Sequence, residues 1–167
     1  VGSNLVRALR NKHLIYGLDI NSDCQQGVSS MFTWNELNLL PEIDTIIHLA
    51  GKAHDTKNQT EEKIYFDINT GLTQKIYDWY LKSNAGKFIF FSSVKAAADH
   101  VNGDILTENI NPEPVGPYGK SKIAAENYIL NKLTDEKQDI TKLSTKKTYI
   151  LRPCMIHGPG NKGNLNL

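Results

Sequence analysis

The sequence predicts an α/β fold, a doubly wound parallel sheet. Three observations predict it. Short apolar runs of strand type recur at "KHLIYGLD" (12–19), "DTIIHLAG" (44–51), "KFIFFSS" (87–93) and "TYILRP" (148–153). They are too short for helices and rich in β-branched and aromatic residues. Longer stretches of helical pattern lie between them. Strands and helices alternate along the chain, which implies βαβ units with helices on both faces of the sheet.

The elements follow in order. "VGSNLVRALRNK" opens the chain as a helix, with Leu5, Val6 and Leu9 on one stripe. The first strand run ends at Asp19. A weaker strand is expected over Val28–Thr33. After the second run, a helix is expected from Thr60 to Ser83, with Gly86 as its C-cap. The stretch 99–117 is rich in Asn, Pro and Gly and reads as a loop. Pro117 suits a first helical position and opens a helix to about Leu133. The polar stretch 134–147 reads as a surface loop or helix extension. The chain opens already helical and stops at "NKGNLNL", a helix just beginning. The expectation is a piece of a longer protein, cut at both ends, with residues 1–160 forming one domain and 161–167 starting the next.

Composition limits the function classes. The 167 residues suffice for one domain with a core. Hydrophobic residues make up 40% and charged residues 22%, with a formal net charge of +1. Lys and Arg are spread along the chain, so neither a nucleic-acid surface nor a membrane anchor is expected. There is no apolar run of the roughly 20 residues a membrane span needs. The two cysteines, Cys24 and Cys154, are far apart without metal-ligand spacing, and read as free thiols of a cytoplasmic protein. No metal is expected.

"GPYGKSK" (116–122) places Tyr118 and Lys122 four apart, on one face of a helix. With 7 tyrosines in a lysine-rich chain, about one such pair arises by chance. A second pair exists, Tyr128 and Lys132. Position separates them. In open parallel sheets, ligands bind outside the carboxyl ends of the strands. Asp19, the Leu49–Gly51 stretch, Ser92–Ser93 and Arg152–Pro153 all fall at those ends. Helices run back from that edge, so Tyr118 and Lys122, in the first turns, start near it. Tyr128 is about 15 Å further along its helix. The first pair is placed for chemistry and the second is read as structural.

The runs "VGSNLVRAL", "GLDIN", "IIHLAG", "FDINTGLTQ", "FIFFSSV", "PYGKSKIAAE" and "LRPCMIHGPG" together resemble the extended short-chain dehydrogenase/reductase family, in that family's order. Within it, the likeness is to nucleotide-sugar epimerases, dehydratases and 4-keto reductases. The resemblance covers essentially the whole chain and implies a Rossmann-like fold lacking its first strand. Of the family's glycine fingerprint only the last glycine is present, as Gly2. In the family's strand order that first strand is central, so its absence predicts a gap in the sheet and weak NAD binding by this chain alone.

The resemblance carries roles onto individual residues. It implies Ser93, Tyr118 and Lys122 as catalytic residues: Ser93 binding the reacting sugar oxygen, Tyr118 as base and acid, Lys122 as its partner and a ribose ligand. A free phenol has a pKa near 10, so positive charge nearby is needed to make it a base at neutral pH. NAD is the implied cofactor, held by Gly2, Asp19, Leu49, Ala50, Gly51, Ser92, Tyr118, Lys122 and Pro153. Asp19 would hold the adenosine ribose hydroxyls and disfavour a 2′-phosphate; it also reads as a plain strand-ending turn residue. Trp34 is either an adenine contact or core. Asn69 is read as satisfying buried backbone groups or as a polar position behind the cofactor. His48 is read as a core histidine, with His54, Lys52 and Lys95 nearer the mouth. Dehydratases carry an Asp–Glu pair where this chain has Val94–Lys95, which argues against β-elimination. The function implied is a 4-epimerase on a UDP-hexose or UDP-N-acetylhexosamine, with 4-keto-sugar reduction and a non-catalytic dinucleotide-binding module as alternatives. A nucleotide sugar is the implied partner, and a homodimer the implied assembly.

Overall fold

The computed structural model describes residues 1–52, 61–100, 103, 105–136 and 145–156. His54, the "GPG" run and the region 161–167 lie outside the described residues. Among the described residues, five parallel strands form in two sheets. β1 (Tyr16–Asp19) pairs with β2 (Ser30–Thr33), and β3 (Thr45–His48), β4 (Lys87–Phe91) and β5 (Lys147–Leu151) form the second sheet in that order. Among the described residues nothing pairs with the inner edges of β1 and β3, which is the gap expected from the sequence. Leu18 of β1 and Trp34 nonetheless pack against the core built on the second sheet. Of the two readings of Trp34, its packing is that of a core residue.

That core explains the helices. α2 (Glu62–Tyr65) runs through a π-helical turn (Phe66–Gly71) into α3 (Leu72–Lys82). α4 spans Pro117–Glu136. Ile76, Tyr77 and Tyr80 of α3 and Ala125 and Ile129 of α4 close over Phe88 and Phe90 of β4, all of them buried. Each fully buried aromatic of this kind is worth about 2–3 kcal/mol of apolar transfer. α3 and α4 therefore share one face. On the other, Ile47, Ile89 and Tyr149 stand side by side in register, and Ile47 and Tyr149 are 37% and 45% exposed.

Three expectations need correcting. The helix expected over Thr60–Ser83 does end there, but its C-cap is Ser83 and not Gly86; the Gly86 N–H bonds the Asp44 carbonyl at 2.9 Å and leads into β4. The π turn departs from the uninterrupted helix that the pattern predicts. α1 (Gly2–Leu9) has no buried residue, so its Leu5–Val6–Leu9 stripe is only half covered. It leans on the β1–β2 connection, where Gly27 takes φ +88° beneath Val6 and Arg10. An added Cβ at Gly27 would sit 2.9 Å from Arg10 Cδ, so glycine serves both the turn and the contact.

Candidate active site

The strands end where the site begins. The Ser92 N–H bonds the Leu151 carbonyl at 2.8 Å, and Val94 N–H bonds that of Pro153 at 3.3 Å, so Ser92–Ser93 and Arg152–Pro153 lie side by side. The 3₁₀ turn Val94–Ala96 is started by Ser93, whose Oγ accepts from the Lys95 N–H at 3.2 Å. α4 then returns to this edge at Pro117. A cleft of about 160 Å³ opens there, lined by Leu49, Gly51, Ser92, Tyr118, Lys122 and Pro153 among the residues singled out from sequence. Val1, Lys52, Phe91 and Ile156 complete it.

The Ser93 hydroxyl is a close neighbour of the Tyr118 phenol. Burial pushes the Tyr118 phenol up, the Ser93 hydroxyl opposes that, and Tyr65 adds to it. The Tyr65 ring stands edge-on to Tyr118, with centroids 6.2 Å apart. Lys122 is 4% exposed. Its Nζ donates to the Phe91 carbonyl at 2.9 Å and lies 4.9 Å from the Phe90 ring centroid. Burial brings its pKa down to about 8, against the pull of Glu126. A buried ammonium thus sits one helical turn behind a half-buried phenol.

Gly51 is required by close approach. A Cβ there would lie 2.8 Å from Asn69 Oδ1 and 3.3 Å from Lys122 Nζ. Asn69 is fully buried in the π turn, a geometry frequent at functional sites. Its amide grips the Lys52 backbone from both sides, accepting from N–H at 2.8 Å and donating to C=O at 3.2 Å. It also donates to Ser121 Oγ at 2.9 Å, and Ser121 donates to the Tyr118 carbonyl at 2.8 Å. Asn69 therefore satisfies buried backbone, one of the two readings made from sequence, and ties the Gly51 turn to α4.

The remaining residues fall as follows. Gly2 begins α1, and an added Cβ would lie 3.6 Å from Leu49 Cδ1, so α1 starts against the β3 exit. Ala50 is half-buried between Leu49 and Gly51. Asp19 ends β1, exposed, and its carboxylate accepts the Ile20 N–H at 2.6 Å. His48 is buried in the core, stacked on Phe90 at 5.5 Å. Lys95 pairs with Asp99 at 3.0 Å. Tyr128 turns away from the cleft and donates to Asp78 of α3 at 2.6 Å. Burial, then Asp78, pushes its pKa up to about 12.

Sequence reasoning does not single out Glu126, although it names both partners, Ser92 and Arg152. Glu126 is 1% exposed, accepts from Ser92 Oγ, and is bridged by Arg152 through Nε at 3.0 Å and Nη2 at 2.5 Å. The available signal is spacing: Tyr118, Lys122 and Glu126 follow at four-residue intervals.

The model of the NAD dependent epimerase/dehydratase family matches residues 1–166. The chain belongs to this family. The UDP-glucose 4-epimerase of Vibrio cholerae is 27% identical over 176 residues, covering 98% of this chain and 51% of its own length. The solved structure of MoeE5 in complex with UDP-glucuronic acid and NAD has a TM-score of 0.80 at 24% identity, over 98% of this chain and 54% of that one. The UDP-Glc/GlcNAc 4-epimerase from Campylobacter jejuni gives 0.69 at 22%, over 90% of this chain and 49% of that one. The chain spans about half the length of these relatives. The family's Rossmann-like α/β architecture is the one found here.

Proposed function

We propose that the protein is an NAD-dependent nucleotide-sugar 4-epimerase acting on a UDP-hexose or UDP-N-acetylhexosamine. The observation that carries the reading is the nearness of the Ser93 hydroxyl to Tyr118, which lines the cleft with Lys122 one turn behind. Two neighbouring hydroxyls could both partner one substrate hydroxyl oxygen. The family membership and the epimerases among its relatives point the same way.

The cleft's chemistry fits the cofactor. At Gly51 no side chain fits between Asn69 and Lys122, which leaves backbone facing the cleft. Gly2, Asp19, Leu49, Ala50, Gly51, Ser92, Tyr118, Lys122 and Pro153 are the residues that would hold NAD. When bound, NAD supplies the hydride acceptor and donor and a positive ring charge.

The chain's own groups do the proton work. Ser93 fixes the reacting C4 oxygen. Tyr118 takes its proton and later returns it. A phenol is protonated at neutral pH and burial raises its pKa further, so its turn as a base needs positive charge close by, the part that Lys122 and the bound nicotinamide ring would play. The same raised phenol supports a second reading, a nucleotide-4-keto-sugar reductase, where Tyr118 serves as proton donor to a ketone.

The test is product analysis on the full-length protein with UDP-glucose or UDP-N-acetylglucosamine and a catalytic amount of NAD. Formation of the C4 epimer without net NADH is expected, lost in Tyr118→Phe while NAD affinity is kept. Stoichiometric NADH consumption by a 4-keto sugar would replace the reading with the reductase. No turnover of either would leave a dinucleotide-binding module.

A further inference from the structure

Glu126 is a buried carboxylate that the proposed chemistry does not use. It lies on α4 one turn beyond Lys122, as Lys122 lies one turn beyond Tyr118, so the three share a helix face. Its oxygens hold two other elements. Ser92 Oγ donates to Oε1 from the β4 exit, next to Ser93. Arg152 donates through Nε and Nη2 from the first position after β5, next to Pro153. Three of the pieces that meet at the cleft are thereby joined at one buried group. A carboxylate used only to fill space would be expensive here, because a buried charge is tolerated only when paired and fully hydrogen-bonded.

We infer that Glu126 is a positioning residue for the Tyr118–Ser93–Lys122 site, fixing α4 against the β4 and β5 exits and holding the neighbouring Lys122 as an ammonium. The inference rests on the epimerase reading for its kinetic consequence, but not for its effect on Lys122. Ionisable and charged groups near Lys122 come from three elements. His48 of β3 is buried and uncharged at neutral pH, and Tyr118 and Glu126 share α4. Arg152, after β5, lies beyond Glu126 and is engaged by it. Glu126 is thus the one anion bearing on the ammonium among these groups, and it opposes the burial that lowers the Lys122 pKa.

The experiment follows Lys122 directly, by ¹³Cε lysine NMR titration, alongside the pH–rate profile of the full-length protein. In Glu126→Gln, which keeps shape and an acceptor oxygen but removes the charge, the Lys122 midpoint should fall by about one unit. The alkaline limb of kcat should move with it, and kcat should drop about tenfold with little change in KM. An unmoved Lys122 midpoint in a folded Glu126→Gln protein would overturn the inference. A moved midpoint in a protein that turns over no UDP-sugar would instead retire the epimerase reading and leave the hold on Lys122 standing. Should Glu126→Gln fail to fold, Ser92→Ala removes one partner and keeps the ion pair. Its Tm should fall, because the buried carboxylate loses a donor, and its kcat should fall several-fold; a wild-type kcat would overturn the positioning role.

Discussion

Gly119, the residue after Tyr118, packs directly on the backbone carbonyl of Lys95: an added Cβ would overlap that oxygen and stand 2.8 Å from Pro114 Cβ. The first turn of α4 and the turn after Ser93 are in contact because nothing projects from position 119. Gly119→Ala gains about 1 kcal/mol of helix propensity. It also meets fixed backbone, where overpacking costs about 1–3 kcal/mol. The clash is with fixed backbone and should win, giving a net loss of up to about 2 kcal/mol in urea denaturation. Relief of the clash moves Tyr118 away from Ser93, so turnover should fall more than stability does. A variant as stable and as active as the parent would show that α4 is not seated on the Lys95 carbonyl.

Lys122 works against the fold at neutral pH. Burial brings its pKa down to about 8 from the ordinary 10.5. Between those values the unfolded chain binds a proton that the folded chain has released, so stability rises with pH across that window. Below it the folded state carries the full cost of a buried ammonium, about 3 kcal/mol from the shift alone. Lys122→Met should therefore be more stable than the parent at pH 7, by about 1–3 kcal/mol after losing the bond to Phe91. The advantage should shrink by pH 10. Denaturation curves at the two pH values measure both. A variant that is less stable at pH 7 would mean the ammonium is better solvated than its burial implies. Such a trade of stability for chemistry is expected at a working site.

The strands are legible because a buried parallel strand has a composition of its own: "TIIH", "KFIFF" and "KTYIL" admit little else. Tyr118 and Lys122 can be chosen over Tyr128 and Lys132 because helix rise converts ten residues into distance from the sheet edge. The π turn is not legible, since nothing in "FDINTG" separates one extra residue per turn from an ordinary helix. Nor is the group that closes the end of α3. Its cap is supplied by Lys146, far along the chain, and no local pattern records that. For α1 the stripe shows which side is apolar, not what covers it, and its half-burial depends on neighbours the stripe does not encode.

That cap gives a stability prediction away from the site. Lys146 Nζ donates to the carbonyls of Tyr80, Ser83 and Ala85 at 3.0, 2.7 and 2.9 Å, with the Tyr80 ring centroid 4.5 Å away. One ammonium closes the end of α3 where the last carbonyls and the negative helix terminus converge. Lys146→Met should cost about 2 kcal/mol and leave the Lys122 titration unmoved. Lys146→Arg should recover only part, because a planar guanidinium cannot aim three donors at one point. Thermal melts of the parent and the two variants test the order. Equal Tm values for the parent and Lys146→Met would show that solvent caps the helix as well as the lysine does.

His48 sets the acid limit. Its Nε2 lies 2.9 Å from Thr73 Oγ1, and that hydroxyl donates its one proton to the Asn69 carbonyl at 2.6 Å. Thr73 can then only accept from the ring, which makes His48 the neutral Nε2–H tautomer. Burial first, and Lys122 second, bring its pKa from the ordinary 6.5 down to about 3. As pH falls below 6.5, the unfolded chain takes up a proton that the folded chain refuses. The stability His48 supports is full above pH 6.5 and is lost progressively as pH approaches 3. Between pH 6.5 and 5 that loss is about 2 kcal/mol. His48→Gln keeps an N–H donor and does not titrate. It should be less stable than the parent at pH 7.5, because the stacked ring is lost, yet its stability should fall less steeply toward pH 5. Urea midpoints at the two pH values measure the slope. An identical slope in parent and variant would show that His48 takes up its proton in the folded state, and that the chain from Thr73 to Asn69 can rearrange to let it.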